Sequence, residues 1–163
     1  MASMRVRAVK GIQVGDRFRV ARTFTEKDVA GFAAASRDYN PVHFDERFAA
    51  AKGFKGRICH GLLVGSLLTE IGGQLGLLAA EMTFSFRKPV YFEETITCEW
   101  TVAHIDARGG VQANVMFTNA DNAVVLEASV KGILPGERER EIMNDMVEAG
   151  DPTNPIGKET ETK

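Results

Sequence analysis

Cysteine, proline, tryptophan and histidine are scarce in this 163-residue chain, which holds two, five, one and three of them respectively. Cys59 and Cys98 lie far apart and match no metal-ligand spacing. We therefore expect two free thiols, a reducing compartment and no metal site.

The chain also lacks an excess of charge of one sign and lacks nucleotide-binding motifs. Its formal net charge is −2, and no basic stretch is interleaved with aromatic residues, so we expect no nucleic-acid partner. There is no Gly-x-Gly-x-x-Gly and no phosphate-loop motif, which argues against redox nucleotides and ATP. No cofactor is predicted.

No targeting or membrane segment is recognisable. The first residues include no apolar core of the secretory type, so a cytoplasmic location is expected. Residues 61–80 form a long apolar stretch, but Glu70, Gln74 and the glycines at 65, 72, 73 and 76 count against a membrane span. We predict instead a helix buried on all sides in a soluble protein, with no membrane partner.

The hydrophobic period changes along the chain from helical to alternating. Thr25 is typical of a helix N-cap, and the helix that follows should stop near Tyr39 or Asn40 because Pro41 comes next. A short helix is predicted after Asp45. Strands are predicted at residues 18–23, 83–87, 95–105, from 111 and from 124. One long apolar helix with antiparallel strands to wrap it is an α+β layout.

The sequence Asp38-x-Asn40-Pro41-x-His43 places a carboxylate and an imidazole five residues apart across a helix-breaking turn. Turn-forming residues alone account for Asp, Asn and Pro here, which is the structural alternative. A second segment, His60-Gly61-Leu62, stands at the start of the long apolar helix.

These two segments, together with Phe86-Arg87-Lys88-Pro89-Val90, resemble the MaoC-like hydratases, which include the (R)-specific enoyl-CoA hydratases. The resemblance implies a single hotdog fold, an antiparallel sheet wrapped around a long central helix. The resemblance spans about residues 15–134, so we assign 1–134 to the hydratase domain and 135–163 to a charged C-terminal extension, and we expect residues 150–163 to be solvated. A single copy of this length should form a homodimer or a higher oligomer.

The resemblance also implies roles for individual residues. Asp38 is the principal base and His43 orients one water and shuttles its proton. The Gly61 amide is the candidate donor to the enolate oxygen, and Asn40 shapes the turn. Candidate substrate contacts are Ser66 and Thr69 on the helix, with Lys55 and Arg57 for the phosphates of coenzyme A, and Arg87 and Lys88 as further cations. His60 is assigned a structural role and His104 a surface position.

Three functions follow as alternatives. The first is reversible hydration of a trans-2-enoyl-CoA to an (R)-3-hydroxyacyl-CoA, with coenzyme A only as part of the substrate. The second is a hotdog acyl-CoA thioesterase, and the third is a non-catalytic acyl-CoA-binding subunit. The acid and base pair favours the first. The loop after the long helix is shorter than in the family, so chain preference is not implied, and we expect short or medium acyl chains.

Overall fold

A five-stranded antiparallel sheet forms the framework of the computed structural model, which describes residues 3–156. The strand order is β1-β3-β4-β5-β2, and every neighbouring pair is antiparallel. The strands are β1 (Arg17–Thr23), β2 (Leu78–Phe86), β3 (Thr95–Ile105), β4 (Gly110–Thr118) and β5 (Val124–Ile133). The predicted meander of the last three strands is confirmed, and β1 and β2 form the two edges.

Five α-helices accompany the sheet within the described residues. They are α1 (Met4–Lys10), α2 (Glu26–Ser36), α3 (Glu46–Ala51), α4 (Gly61–Leu75) and α5 (Glu137–Glu148), with a 3₁₀ turn at Pro41–His43. None of the helices within residues 3–156 is long and apolar enough to cross a membrane.

The core lies between α4 and one face of the sheet. The alternation of β3 buries four side chains on that face, as its period of two predicts. Leu67, Leu68 and Ile71 of α4 are fully buried in the same cluster as Trp100 of β3. The α+β class, with a sheet covering one long helix, is therefore confirmed.

One side of α4 is not buried, contrary to the prediction. Leu62, Thr69 and Gly73 are exposed and Ser66 is half-buried. These positions recur every three or four residues, so they form a single stripe along the helix.

Helix α2 starts as predicted and ends early. Thr25 caps it, with the Asp28 side chain completing a capping box. The helix ends at Ser36, before the predicted stop near Tyr39, because Arg37 adopts a left-handed conformation with φ of 63°. Residues 37–40 therefore lie outside the helix and precede Pro41, and Asp38 is one of them.

Strand β2 begins five residues earlier than predicted, at Leu78. Residues 78–82 lack the alternation that marks a half-buried strand, since the strand is exposed on both faces over this part. This part of β2 is held by its pairing with β5. The two strands approach closely there, since a side chain at Gly132 of β5 would collide with the Leu78 carbonyl.

The first and the last described segments of the chain meet at the C-terminal end of α4. Helix α1 packs against α4 and α5, and Arg5 forms an ion pair with Asp151 at 3.0 Å. Asn154 is buried, and its side-chain amide forms a reciprocal pair of 3.0 Å hydrogen bonds with Gln74. Residues 150–156 are thus docked on the domain, which corrects our expectation of a solvated extension there, and the rest of that extension, 157–163, lies outside the described residues.

Candidate active site

The turn after α2 presents Asp38 at a fixed orientation. Its backbone N–H donates to Ser36 Oγ at 3.2 Å, and its Oδ1 accepts from the Asn40 amide at 3.1 Å. Asn40 Oδ1 in turn accepts from the Val42 amide and caps the 3₁₀ turn that carries His43. Asn40 therefore shapes the backbone between the two residues, as expected, and its side-chain oxygen is engaged in that contact.

His43 faces Asp38 with the nitrogen that lacks a proton. Its Nδ1 lies 2.8 Å from the Ile58 carbonyl, which can only accept, so the neutral ring carries its proton there. His43 is 7% exposed, and burial lowers its pKa below the ordinary 6.5. Neutral imidazole with a free lone pair on Nε2 is thus the form present near neutral pH.

The gap between the two side chains fits one water molecule. His43 Nε2 and Asp38 Oδ2 are 3.9 Å apart. This is too long for a direct hydrogen bond and short enough for a single water to donate to both acceptors. The Asp38 side chain is 49% exposed, so the site opens to solvent on the carboxylate side.

A second histidine, His60, completes the cluster. Its ring is 2% exposed and stacks on the His43 ring with centroids 3.7 Å apart. Its Nε2 lies 2.9 Å from the main-chain oxygen of Asp38. Sequence reasoning assigned His60 a structural role but missed this contact, because residues 38 and 60 are joined only by the folding of the α2 turn onto α4.

Potential ligand atoms of Asp38, His43 and His60 lie within 4.8 Å of one another. The two rings are stacked at an interplanar angle of 30° with centroids 3.7 Å apart, so the in-plane lone pairs of the two rings lie in nearly parallel planes. A tetrahedral metal site needs ligand lone pairs that converge on one ion, which nearly parallel stacked planes do not favour. The cluster is therefore suited to handling a water and its protons.

Gly61 begins α4 directly beside this cluster, as predicted. The N-cap residue His60 makes no side-chain hydrogen bond to the helix, so the first amides of α4 keep free N–H groups. A Cβ at Gly61 would overlap the Phe86 ring, which explains why this position has no side chain. The result is an unshielded positive helix end next to the Asp38 and His43 pair.

A cavity of about 630 Å³ opens over these groups. Asp38, His43, His60 and Gly61 lie in its wall, and two cations, Arg87 and Lys88, line it as well. The remaining lining is mainly apolar: Phe32, Phe54, Ile58, Leu62, Val64, Phe86, Val90, Val125 and Leu126. An apolar cavity with polar groups gathered at one place suits a small molecule with a long apolar part.

Four of the predicted contact residues are placed elsewhere. Arg57 is bound by Glu26 at 2.8 Å and Glu46 at 3.0 Å, where it ties α2 to α3. Lys55 lies over the Tyr91 ring, outside the cavity wall.

The two helix hydroxyls also lie outside the cavity wall. Ser66 and Thr69 on α4 donate to carbonyls three residues back, at 2.6 and 2.7 Å. The cations that do line the cavity are Arg87 and Lys88. Both belong to the segment Phe86-Arg87-Lys88-Pro89-Val90, which also resembles the family.

Comparison with known proteins agrees with this architecture. The family described as MaoC like domain matches residues 9–124. The (R)-specific enoyl-CoA hydratase of Aeromonas caviae is 35% identical over 96 residues, covering 56% of this chain and 72% of that protein. A mitochondrial 3-hydroxyacyl-[acyl-carrier-protein] dehydratase of Arabidopsis thaliana is 31% identical over 130 residues, covering 76% and 78%.

The solved structure of the (R)-hydratase from A. caviae involved in PHA biosynthesis superimposes with a TM-score of 0.72 at 30% identity. The match covers 77% of this chain and 99% of that one. The sheet wrapped on α4 is thus a hotdog fold, and the similar proteins are hydratases and dehydratases, which supports hydro-lyase activity. The chain belongs to the MaoC-like family.

Proposed function

We propose that this protein catalyses the reversible hydration of a trans-2-enoyl-CoA to an (R)-3-hydroxyacyl-CoA. The observation that carries the proposal is the pair of acceptors, Asp38 Oδ2 and His43 Nε2, held 3.9 Å apart in the wall of an apolar cavity. The names of the similar proteins support both directions of the reaction.

The proposed chemistry uses one water. It donates one hydrogen bond to Asp38 and one to His43, which leaves the lone pairs of its oxygen for the substrate. The oxygen adds to the β-carbon, Asp38 takes up a proton as the principal base, and His43 keeps the water in place. The pair returns a proton to the α-carbon on the same face, so the elements of water add across the double bond and the enzyme is unchanged.

The negative charge on the thioester oxygen needs a donor between these two events. In the proposal the Gly61 amide serves, because the free N–H groups and the dipole of α4 favour an anion there. Gly61 and the Asp38 and His43 pair lie in one cavity wall, which allows all three to act on one substrate.

The cations of the cavity wall suggest where the phosphates of coenzyme A bind. Lys88 and Arg87 line the cavity, and Arg87 is also paired with Glu127 at 2.6 Å. Lys88 is therefore the stronger candidate. Lys55 and Arg57 could contact the substrate only outside the cavity wall, and Arg57 is occupied by two glutamates.

The proposed assembly is a homodimer formed through β2. The outer edge of β2 has no strand partner within residues 3–156, and β2 has a single charged residue, Glu81. The opposite edge, β1, carries three arginines in seven residues, a pattern that discourages edge pairing. Exposed Leu78 and Met82 on β2 complete an apolar surface suited to a second copy. Sedimentation of the wild type and of Met82→Lys tests this, since a wild-type monomer would refute it.

The test of the function is incubation with crotonyl-CoA, following the conjugated double bond and free thiol separately. We expect loss of the double bond without thiol release and formation of the (R)-3-hydroxy product. Thiol release would instead identify the thioesterase, for which the apolar cavity is also suited. Binding without either signal, across acyl-CoA and acyl-carrier-protein substrates of several lengths, would identify a binding subunit.

A further inference from the structure

His60 touches both members of the Asp38 and His43 pair, each in a different way. Its ring face lies on His43 at a centroid distance of 3.7 Å, and its Nε2 lies 2.9 Å from the Asp38 main-chain oxygen. Phe32 packs against the ring at 5.0 Å and Phe44 at 6.1 Å. His60 is therefore clamped by aromatic rings and has little freedom to move.

The hydrogen bond to Asp38 defines which nitrogen of His60 carries the proton. A carbonyl only accepts, so Nε2 must be the donor. The other nitrogen, Nδ1, is buried and has no hydrogen-bond partner among the residues that the structure describes. Leaving a buried polar atom unpaired costs stability, so an apolar ring would serve better here if packing were the only requirement.

We propose that His60 is a positioning residue for the water-activating pair, its ring face fixing the plane of His43 and its N–H fixing the main chain that carries Asp38. The proposal rests on the proposed hydratase function. Its physical basis is that two acceptors must be held at a separation that one water spans. A displacement of about 1 Å can cost on the order of a hundredfold in rate.

The stack has a second effect on His43, because it keeps water from one face of the ring. Burial is the largest cause of the lowered pKa of His43. The titratable groups in contact with His43 are Asp38 and His60, and the cations sharing its cavity are Arg87 and Lys88. Removing the ring face should therefore raise the pKa of His43 toward 6.5. Replacing the imidazole by an apolar ring keeps the burial and removes only the charge of His60, which is a smaller cause of the lowered pKa, so the rise should be smaller.

Two substitutions separate the two contacts. His60→Phe keeps an aromatic face on His43 and loses the N–H, whereas His60→Gln keeps an N–H and loses the face. His104→Gln is the matched control, since His104 is exposed. With three histidines in the chain, the ring nitrogens of each can be assigned by nitrogen-15 NMR, which gives tautomers and the pKa of His43.

We expect His60→Phe to lower kcat for crotonyl-CoA roughly tenfold, which corresponds to the free energy of one hydrogen bond. KM should stay within about twofold of the wild-type value. The pKa of His43 should rise less in this variant than in His60→Gln, because the aromatic face and its burial are kept. His60→Gln should lower kcat and move the acid limb of the pH profile upward together with the pKa of His43. The control should match the wild type.

Two results would overturn the proposal. One is that both folded variants keep kcat and the His43 titration of the wild type and lose only thermal stability. Another needs no variant: a wild-type spectrum that places the His60 proton on Nδ1 contradicts the hydrogen bond to Asp38. The NMR spectra do not depend on enzyme turnover. If the wild type hydrates no substrate, the proposed function is refuted, and the spectra still test the contacts of His60.

Discussion

Replacing Asp38 by asparagine changes the proposed base while leaving its surroundings in place. The new side chain would keep an oxygen toward the Asn40 amide, as Asp38 Oδ1 does at 3.1 Å. The group facing His43 would then be an NH₂, which donates where the carboxylate accepted. The proposed bridging water would lose one of its two acceptors, and the pair would lose its negative charge.

The size of the effect follows from these contacts. Loss of a positioned general base lowers rate by roughly 10²–10⁴-fold, so we expect kcat to fall by about three orders of magnitude. The Asp38 side chain is 49% exposed, and its replacement keeps the contact with Asn40. The free energy of unfolding should therefore change by no more than about 0.5 kcal/mol.

The assay is steady-state hydration of crotonyl-CoA with thermal unfolding measured in parallel. Asp121→Asn is the matched control, because it makes the same chemical change at an exposed position in the turn between β4 and β5. If the folded Asp38→Asn protein keeps more than about a tenth of wild-type kcat, the loss is too small for a general base and the assignment fails.

Three other predictions concern pH, Gly61 and the thiols. Because the pKa of His43 is lowered from 6.5, kcat/KM should be flat near pH 7 and should fall only below pH 6.5, and an acid limb above pH 6.5 would contradict the assignment. The contribution of His43 to the free energy of unfolding should likewise be full above pH 6.5 and be lost as the pH falls toward the pKa of the folded state. Gly61→Ala should lower kcat through overlap with the Phe86 ring, and adding Phe86→Ala should recover part of the loss; strictly additive losses would refute the steric account. Burial raises the pKa of Cys59 and of Cys98 to about 12, so neither thiol should react with a disulfide reagent at pH 8 until the protein is unfolded. Rapid labelling of the native protein would show instead that the thiols are accessible.

The features that local pattern encodes could be predicted from the sequence. The alternation of β3 indicated its bounds and its buried face, and the Asn-Pro turn placed Asp38 at a helix end and His43 outside the α-helices, because backbone sterics act between neighbours. The resemblance of His60-Gly61-Leu62 to the family segment placed Gly61 at the start of the long helix, where α4 begins.

Features that depend on distant partners could not be predicted. The first half of β2 has no alternation and is a strand only because β5 pairs with it. Arg57 looked available for phosphate, but glutamates 31 and 11 positions away bind it. The contacts of His60 with His43 and Asp38 likewise bring together elements that are separate in sequence.

The first and the last described segments meet at the far end of α4, which has a practical consequence for engineering. Arg5 and Asp151 are joined there, and Arg5 also donates to the Gly73 carbonyl near the end of the 15-residue helix. A helix of that length measures roughly 22 Å, which separates this junction from Gly61 and the cavity. Circular permutation by linking these segments and opening the turn between β3 and β4, at the end of the sheet opposite the cavity-lining residues Val125 and Leu126, should give a chain with new termini and an unaltered cavity.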